Sequence, residues 1–168
     1  TSAIANGGTR YKPIILDSIT TADGRIVYQN EPQVIGKVPL TAPNLELVKK
    51  GLWEVVNGEK GTARNSRLAD IEISGKTGTS QVISRKKNDT RSEADRPAHL
   101  KPHAWFIAYA PSVAPEIAVA VLVEHGEHGS SAAAPIAAEL IKTFLRAGQS
   151  IDRAAKGQDR VDEEDDSG

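Results

Sequence analysis

The residues with the clearest chemical content are Lys76-Thr77-Gly78-Thr79, inside the stretch "ISGKTGTSQ" at 73–81. They set one fixed positive charge beside two hydroxyls. On an extended chain Thr77 and Thr79 lie two residues apart and share a face. Gly78 has no side chain and lets an acyl group lie against the backbone. Three readings compete. A phosphate loop needs G-x-x-x-x-G-K-[ST] between a strand and a helix. Gly75-Lys76-Thr77 matches its end, but the first glycine would fall on Asp70, whose carboxylate repels phosphate. The following "TSQVIS" also favours strand over helix, so nucleotide binding is set aside. A carboxylate ledge is the second reading. Lys76 attracts an anion, the threonine hydroxyls hold it, and a strand N–H donates to a developing oxyanion. Those parts suit one wall of an acyl-transfer cleft whose nucleophile and base come from elsewhere. The third reading is a strand with a glycine bulge and a solvated lysine. The four residues alone leave the second and third open.

Other reactive residues add little. The chain has no cysteine, which excludes disulfides and thiol nucleophiles. His125 and His128, with Glu124 and Glu127, lie in a glycine-rich loop where neighbouring side chains rarely reach one ion, so no metal site is expected. His103 precedes Trp105, Phe106 and Tyr109 and is expected to pack rather than catalyse. Trp53 is likewise read as packing. No cofactor is implied.

These residues must be positioned by a foldable chain. Its 168 residues are 39% hydrophobic and 26% charged, with a formal net charge of -1 that gives no reason to expect nucleic acid as a partner. The apolar runs 104–110 and 117–123 are of strand length, well short of the roughly 20 residues of a membrane span. No membrane contact is expected of this segment. "TSAIANGG" reads as the last turn of a helix stopped by Asn6-Gly7-Gly8, as in a chain cut from a longer one. Residues 12–30 read as a hairpin turning at Asp23-Gly24. Pro32 and Pro39 mark an irregular link. A helix follows from an N-cap at Thr41 to a stop at Gly58, with Pro43 in its first turn and Glu46 complementing the dipole. Its stripe is Leu45, Val48, Leu52, Val55 and Val56.

Residues 70–84 read as a glycine-interrupted strand, and 85–101 as a polar loop, disordered or highly mobile. "AWFIAYA" and "EIAVAVLVE", joined by "PSVAP", should pair antiparallel. The last helix should start near Ala132 or Ala133, capped by Ser130 or Ser131, and end at Gly148. Pro135 is then tolerable in its first turn, with Ile136, Leu140, Ile141, Phe144 and Leu145 on one face. Residues 149–168 carry seven acids and three bases and read as a disordered acidic tail after a single unit at 1–148. The fold class is α+β, an antiparallel sheet packed against helices.

K-T-G with S-x-x-K and S-D-N is a signature of penicillin-binding proteins and serine β-lactamases. Here "GTA", "GKTGT" and "WFIAYAP" follow in order over roughly residues 1–147. Together they resemble the C-terminal half of the transpeptidase domain of class B penicillin-binding proteins, most like the penicillin-binding protein 2 group that serves elongation in rod-shaped bacteria.

The resemblance implies a partial transpeptidase fold lacking its N-terminal part, and peptidoglycan crosslinking by serine acyl transfer. It implies D-Ala-D-Ala stem peptides and β-lactams as ligands, and elongation-machinery proteins as partners. It also implies a place on the periplasmic side of the inner membrane, with an anchor outside this segment. Lys76, Thr77, Gly78 and Thr79 become the substrate-binding wall. Thr77 and Thr79 hold the terminal carboxylate, and the Thr79 N–H is one oxyanion donor. The catalytic serine motif does not match: S-x-N is absent, and the one S-x-x-K, Ser84 to Lys87, follows K-T-G and opens a polar loop. The chain alone is therefore expected to be inactive. A β-lactam sensor, a β-lactamase or a non-catalytic binding module of the same fold is the alternative.

Overall fold

The structure, a computed structural model, describes residues 1–82 and 97–148. The Ser84–Lys87 match, most of the polar loop and the acidic tail lie outside the described residues. Residues 97–101 of that loop are described, and Ala98–Leu100 make one 3-10 turn.

The chain opens on α1, Ser2–Ala5. Gly7 ends the turn at φ 81°, a conformation glycine adopts freely. β1 (Thr9–Tyr11) then pairs antiparallel with β4 (Val34–Lys37). This ribbon was not expected, and residues 32–39 are not simply an irregular link. Strands of three and four residues are too short to show a period. β2 (Ser18–Thr20) and β3 (Ile26–Gln29) form the expected hairpin, but the strands are shorter than the β-rich runs suggested. Thr21 N–H donates to the Arg25 carbonyl at 2.9 Å and closes the turn. Thr21 Oγ1 also donates to Asp23, and that bond holds the Asp23 carboxyl below its ordinary range.

α2 spans Ala42–Asn57, between Thr41 and Gly58 as expected. Two details differ. The Thr41 side chain makes no capping bond, and Glu46 sits past the first turn, where it pairs with Lys49 at 3.3 Å. Leu45 and Val56 are buried, whereas Val48 faces solvent.

β5 (Ser74–Ser80), β6 (His103–Ala110) and β7 (Ile117–Val123) form an antiparallel sheet in the order β5-β6-β7. Ile71 and Ile73 precede β5 rather than belonging to it. α3, residues 134–148, covers the sheet. Its core-facing positions are Ala134, Ala137, Ala138, Ile141 and Leu145, packed with Ala104, Phe106 and Ala108 of β6. Alanines let the helix sit close on the sheet. Pro135 falls in the first turn of α3, directly after helical bonds from the Ala132 N–H to the His128 carbonyl and from the Ala134 N–H to the Gly129 carbonyl. The serine cap does not form; a π-turn, Gly129–Ala133, leads in instead.

The expected apolar stripe of α3 divides. Ile141 and Leu145 are in the core, while Ile136, Leu140 and Phe144 are about half exposed. With Ile117 and Val119 they line an open groove of about 660 Å³. The outer edge of β7 pairs with no strand among the described residues.

Candidate active-site wall

Among the described residues β5 is an edge strand, and all four residues singled out by the sequence lie on it. Its register with β6 sets Lys76 opposite Ile107, Thr77 opposite Phe106, Gly78 opposite Trp105 and Thr79 opposite Ala104. Directly paired residues share a face, so the threonine pair and Lys76 leave the strand on opposite faces. Lys76 is exposed, and its Nζ folds back to donate to the Thr77 carbonyl at 2.8 Å. The Gly78 nitrogen and oxygen lie close to the Trp105 carbonyl oxygen, so the Gly78 groups face β6 and the Thr77 carbonyl faces away from it. Backbone groups alternate between the two edges of an antiparallel strand. The Thr79 N–H consequently points the same way, out along the free edge.

Thr62 was missed as a site residue, although it is the middle of "GTA". Its Oγ1 lies 3.3 Å from Thr77 Oγ1. Two glycines allow this. A Cβ on Gly58 would meet the Glu54 carbonyl at 2.6 Å, and one on Gly61 would meet the Val55 carbonyl at 2.5 Å. The chain after α2 can thus fold tightly over the helix end and bring Thr62 to β5.

A second missed residue is Asn57. Its Nδ2 donates to the Trp53 carbonyl at 3.0 Å and to the Ile73 carbonyl at 2.8 Å. This one amide fastens the last turn of α2 to the residue before β5. Nearby, Ser74 Oγ donates to Ser112 Oγ at 2.9 Å, and Ser112 Oγ donates to the Glu72 carbonyl at 3.1 Å. Farther back, Arg146 pairs with Asp70 at 3.1 Å and holds that carboxyl below its ordinary range. The acid that argued against a phosphate loop thus ties α3 to the approach to β5.

The histidines hold the turn after β7. The His125 N–H donates to His103 Nδ1 at 3.0 Å, and His125 Nδ1 lies 3.0 Å from the Lys101 carbonyl. Lys101 Nζ pairs with Glu127, whose carboxyl that bond keeps below its ordinary range. Among the described residues no group of three or more His, Asp or Glu could hold a metal ion, and no helix is long and apolar enough to cross a membrane.

An edge strand presenting Lys-Thr-Gly-Thr, backed by a close-packed helix, defines the class. Residues 1–142 match the family model described as the penicillin-binding protein transpeptidase domain, and the chain belongs to that family. Peptidoglycan D,D-transpeptidase MrdA of Haemophilus influenzae is 33% identical over 154 residues, covering 86% of this chain and 22% of that protein. An acyl-enzyme complex of penicillin-binding protein A from Mycobacterium tuberculosis superposes with a TM-score of 0.64 at 29% identity, covering 84% of this chain and 29% of that one. Penicillin-binding protein 2 of Helicobacter pylori, solved in complex with MreC, gives a TM-score of 0.62 at 28% identity, covering 89% and 24%. The chain thus spans less than a third of the length of each of these relatives.

Proposed function

We propose that this chain supplies the carboxylate-binding wall of a serine D,D-transpeptidase that crosslinks peptidoglycan, and that it is the C-terminal part of that domain. The carrying observation is the free edge of β5, where Lys76 sits beside Thr77 and the Thr79 N–H points outward. In this reading a serine from a preceding part of the protein attacks the carbonyl of a D-Ala-D-Ala stem peptide. The terminal D-Ala leaves, and an amine of a second strand takes the acyl group. Lys76 provides positive potential for the terminal carboxylate, and Thr77 and Thr79 donate their hydroxyls to it. The Thr79 N–H stabilises the tetrahedral oxyanion, a contribution of roughly 10²- to 10³-fold for one such donor. A β-lactam acylates the same serine because its carboxylate uses the same wall. Thr62, at hydrogen-bond distance, orients the Thr77 hydroxyl.

The same reading places the protein on the periplasmic face of the inner membrane, with elongation-machinery proteins as partners. Its support is the similarity to MrdA and to the penicillin-binding protein 2 solved with MreC.

The test is labelling of the full-length protein by a fluorescent penicillin, wild type against Lys76→Ala. Loss of a charge-assisted bond of about 1.5–3 kcal/mol lowers acylation by roughly 10- to 150-fold. Undiminished labelling of the variant sinks the role of Lys76. An unlabelled wild type favours a non-catalytic module, and labelling without crosslinking of a donor and acceptor peptide favours a β-lactam sensor.

A further inference from the structure

Behind β5, on the side away from its free edge, the turn between β7 and α3 makes an unusually close approach. A Cβ added to Gly129 would lie 2.2 Å from the Trp105 carbonyl oxygen, 3.0 Å from the Gly78 carbonyl oxygen and 3.2 Å from the Gly78 nitrogen. All three are backbone atoms of one rung of the β5–β6 ladder. They cannot swing aside as a side chain does. No positive φ is recorded at Gly129, so contact alone demands glycine there.

The turn is held against the sheet from its other end. His125 and Glu127 both take left-handed conformations, φ 55° and 61°, which non-glycine residues adopt only under constraint. The constraint comes from Lys101, Pro102 and His103. His103 Nδ1 accepts the His125 N–H, the Pro102 carbonyl accepts the Glu127 N–H at 3.0 Å, and Lys101 pairs with the Glu127 carboxylate. A clamped, strained turn that ends on Gly78 is a backing for that peptide.

Building on the transpeptidase reading, we propose that Gly129 is a positioning residue, whose backbone fixes the Gly78–Thr79 peptide and so aims the Thr79 N–H at the reacting carbonyl. A side chain at 129 needs about an ångström of extra room, and reacting groups displaced by that much lose on the order of 10²-fold in rate.

The experiment compares Gly129→Ala with Gly126→Ala in the full-length protein. Gly126 belongs to the same turn, but a Cβ there would press on Val123 Cγ1 at 2.9 Å, Val123 Cβ at 3.0 Å and Ala104 Cβ at 3.1 Å, and on no atom of β5. Three quantities are read: melting temperature, the rate constant of acylation by a fluorescent penicillin, and amide exchange of residues 76–80. Gly129→Ala is expected to slow acylation by roughly 10- to 100-fold and to speed exchange in 76–80. Gly126→Ala, for a similar melting shift, should leave acylation within about threefold, because none of the atoms it would press on belongs to the Gly78–Thr79 peptide. Equal acylation losses in the two variants, or wild-type acylation in Gly129→Ala, overturn the proposal. If the wild type takes no label, the transpeptidase reading fails, and exchange alone decides the backing role: faster in Gly129→Ala supports it, unchanged refutes it. Should Gly129→Ala not fold, His103→Ala releases the clamp, and unchanged exchange in 76–80 then refutes it.

Discussion

Removing the Asn57 amide should loosen the entry to β5, and the size of the effect follows from its two bonds. Its Nδ2 serves the Trp53 and Ile73 carbonyls at 3.0 and 2.8 Å. Asn57→Ala leaves the Ile73 acceptor without this donor in a partly buried place. Such a loss costs about 1–2 kcal/mol, toward the lower part of the range for an unsatisfied acceptor. The unfolding constant then rises about 5- to 30-fold. Asn57→Asp is the sharper variant. Its carboxylate would face two carbonyl oxygens, which disfavour the anion and raise the folded-state pKa of the introduced acid. The proton is therefore bound more tightly in the folded state. The added penalty is full at neutral pH and shrinks as pH falls through the raised value. Urea unfolding at pH 7 and pH 5, compared at constant slope, measures both effects. Asn57→Asp should be the less stable variant at pH 7 and should gain on Asn57→Ala at pH 5. A midpoint for Asn57→Ala within error of wild type, or no convergence of the variants at pH 5, would refute the fastening role.

Three further outcomes are expected. Gly75→Ala should destabilise strongly, because its Cβ would lie 2.6 Å from Phe106 Cζ and 2.8 Å from the Ile107 carbonyl oxygen; Phe106→Leu should restore part of the loss, seen in a double-mutant thermal melt. Glu127 is held below its ordinary value of 4.5 by Lys101, and Asp70 below 3.8 by Arg146. Their stabilisation is present above those ordinary values and drains as pH falls through the lowered ones, and Glu127→Gln should remove its share of the acid-limb slope in an unfolding titration. Thr62→Val should slow penicillin acylation by roughly 3- to 10-fold, about one hydrogen bond, while Thr62→Ser retains the rate; equal rates in all three would exclude Thr62 from the wall.

The legible parts of this molecule were those with a strong local signal. Asn6-Gly7-Gly8, Thr41 and Gly58 mark helix ends that the backbone respects, and β6 and β7 are apolar runs bounded by prolines. The β1–β4 ribbon was not legible, because its pairing joins residues some 25 positions apart through strands with no period. The stripe on α3 was misjudged for a different reason. Large apolar residues look like core, yet the closest packing on the sheet goes to alanines, which carry little periodic weight. At the site, K-T-G-T stood out by its chemistry. Thr62 and Asn57 did not, since their partners Thr77 and Ile73 lie about fifteen residues away and only the tight turn at Gly58–Gly61 brings them together.

The outer edge of β7 has a practical consequence. An edge that pairs with no strand among the described residues, beside Ile136, Leu140 and Phe144, is a template for intermolecular sheet growth. Concentration thereby becomes a controlling variable for a preparation of this chain by itself. Dilute samples should stay dispersed, whereas concentrated ones should scatter light and acquire dye-binding β-structure. Lysine placed at Leu122, exposed on the same strand, would raise that threshold without touching β5.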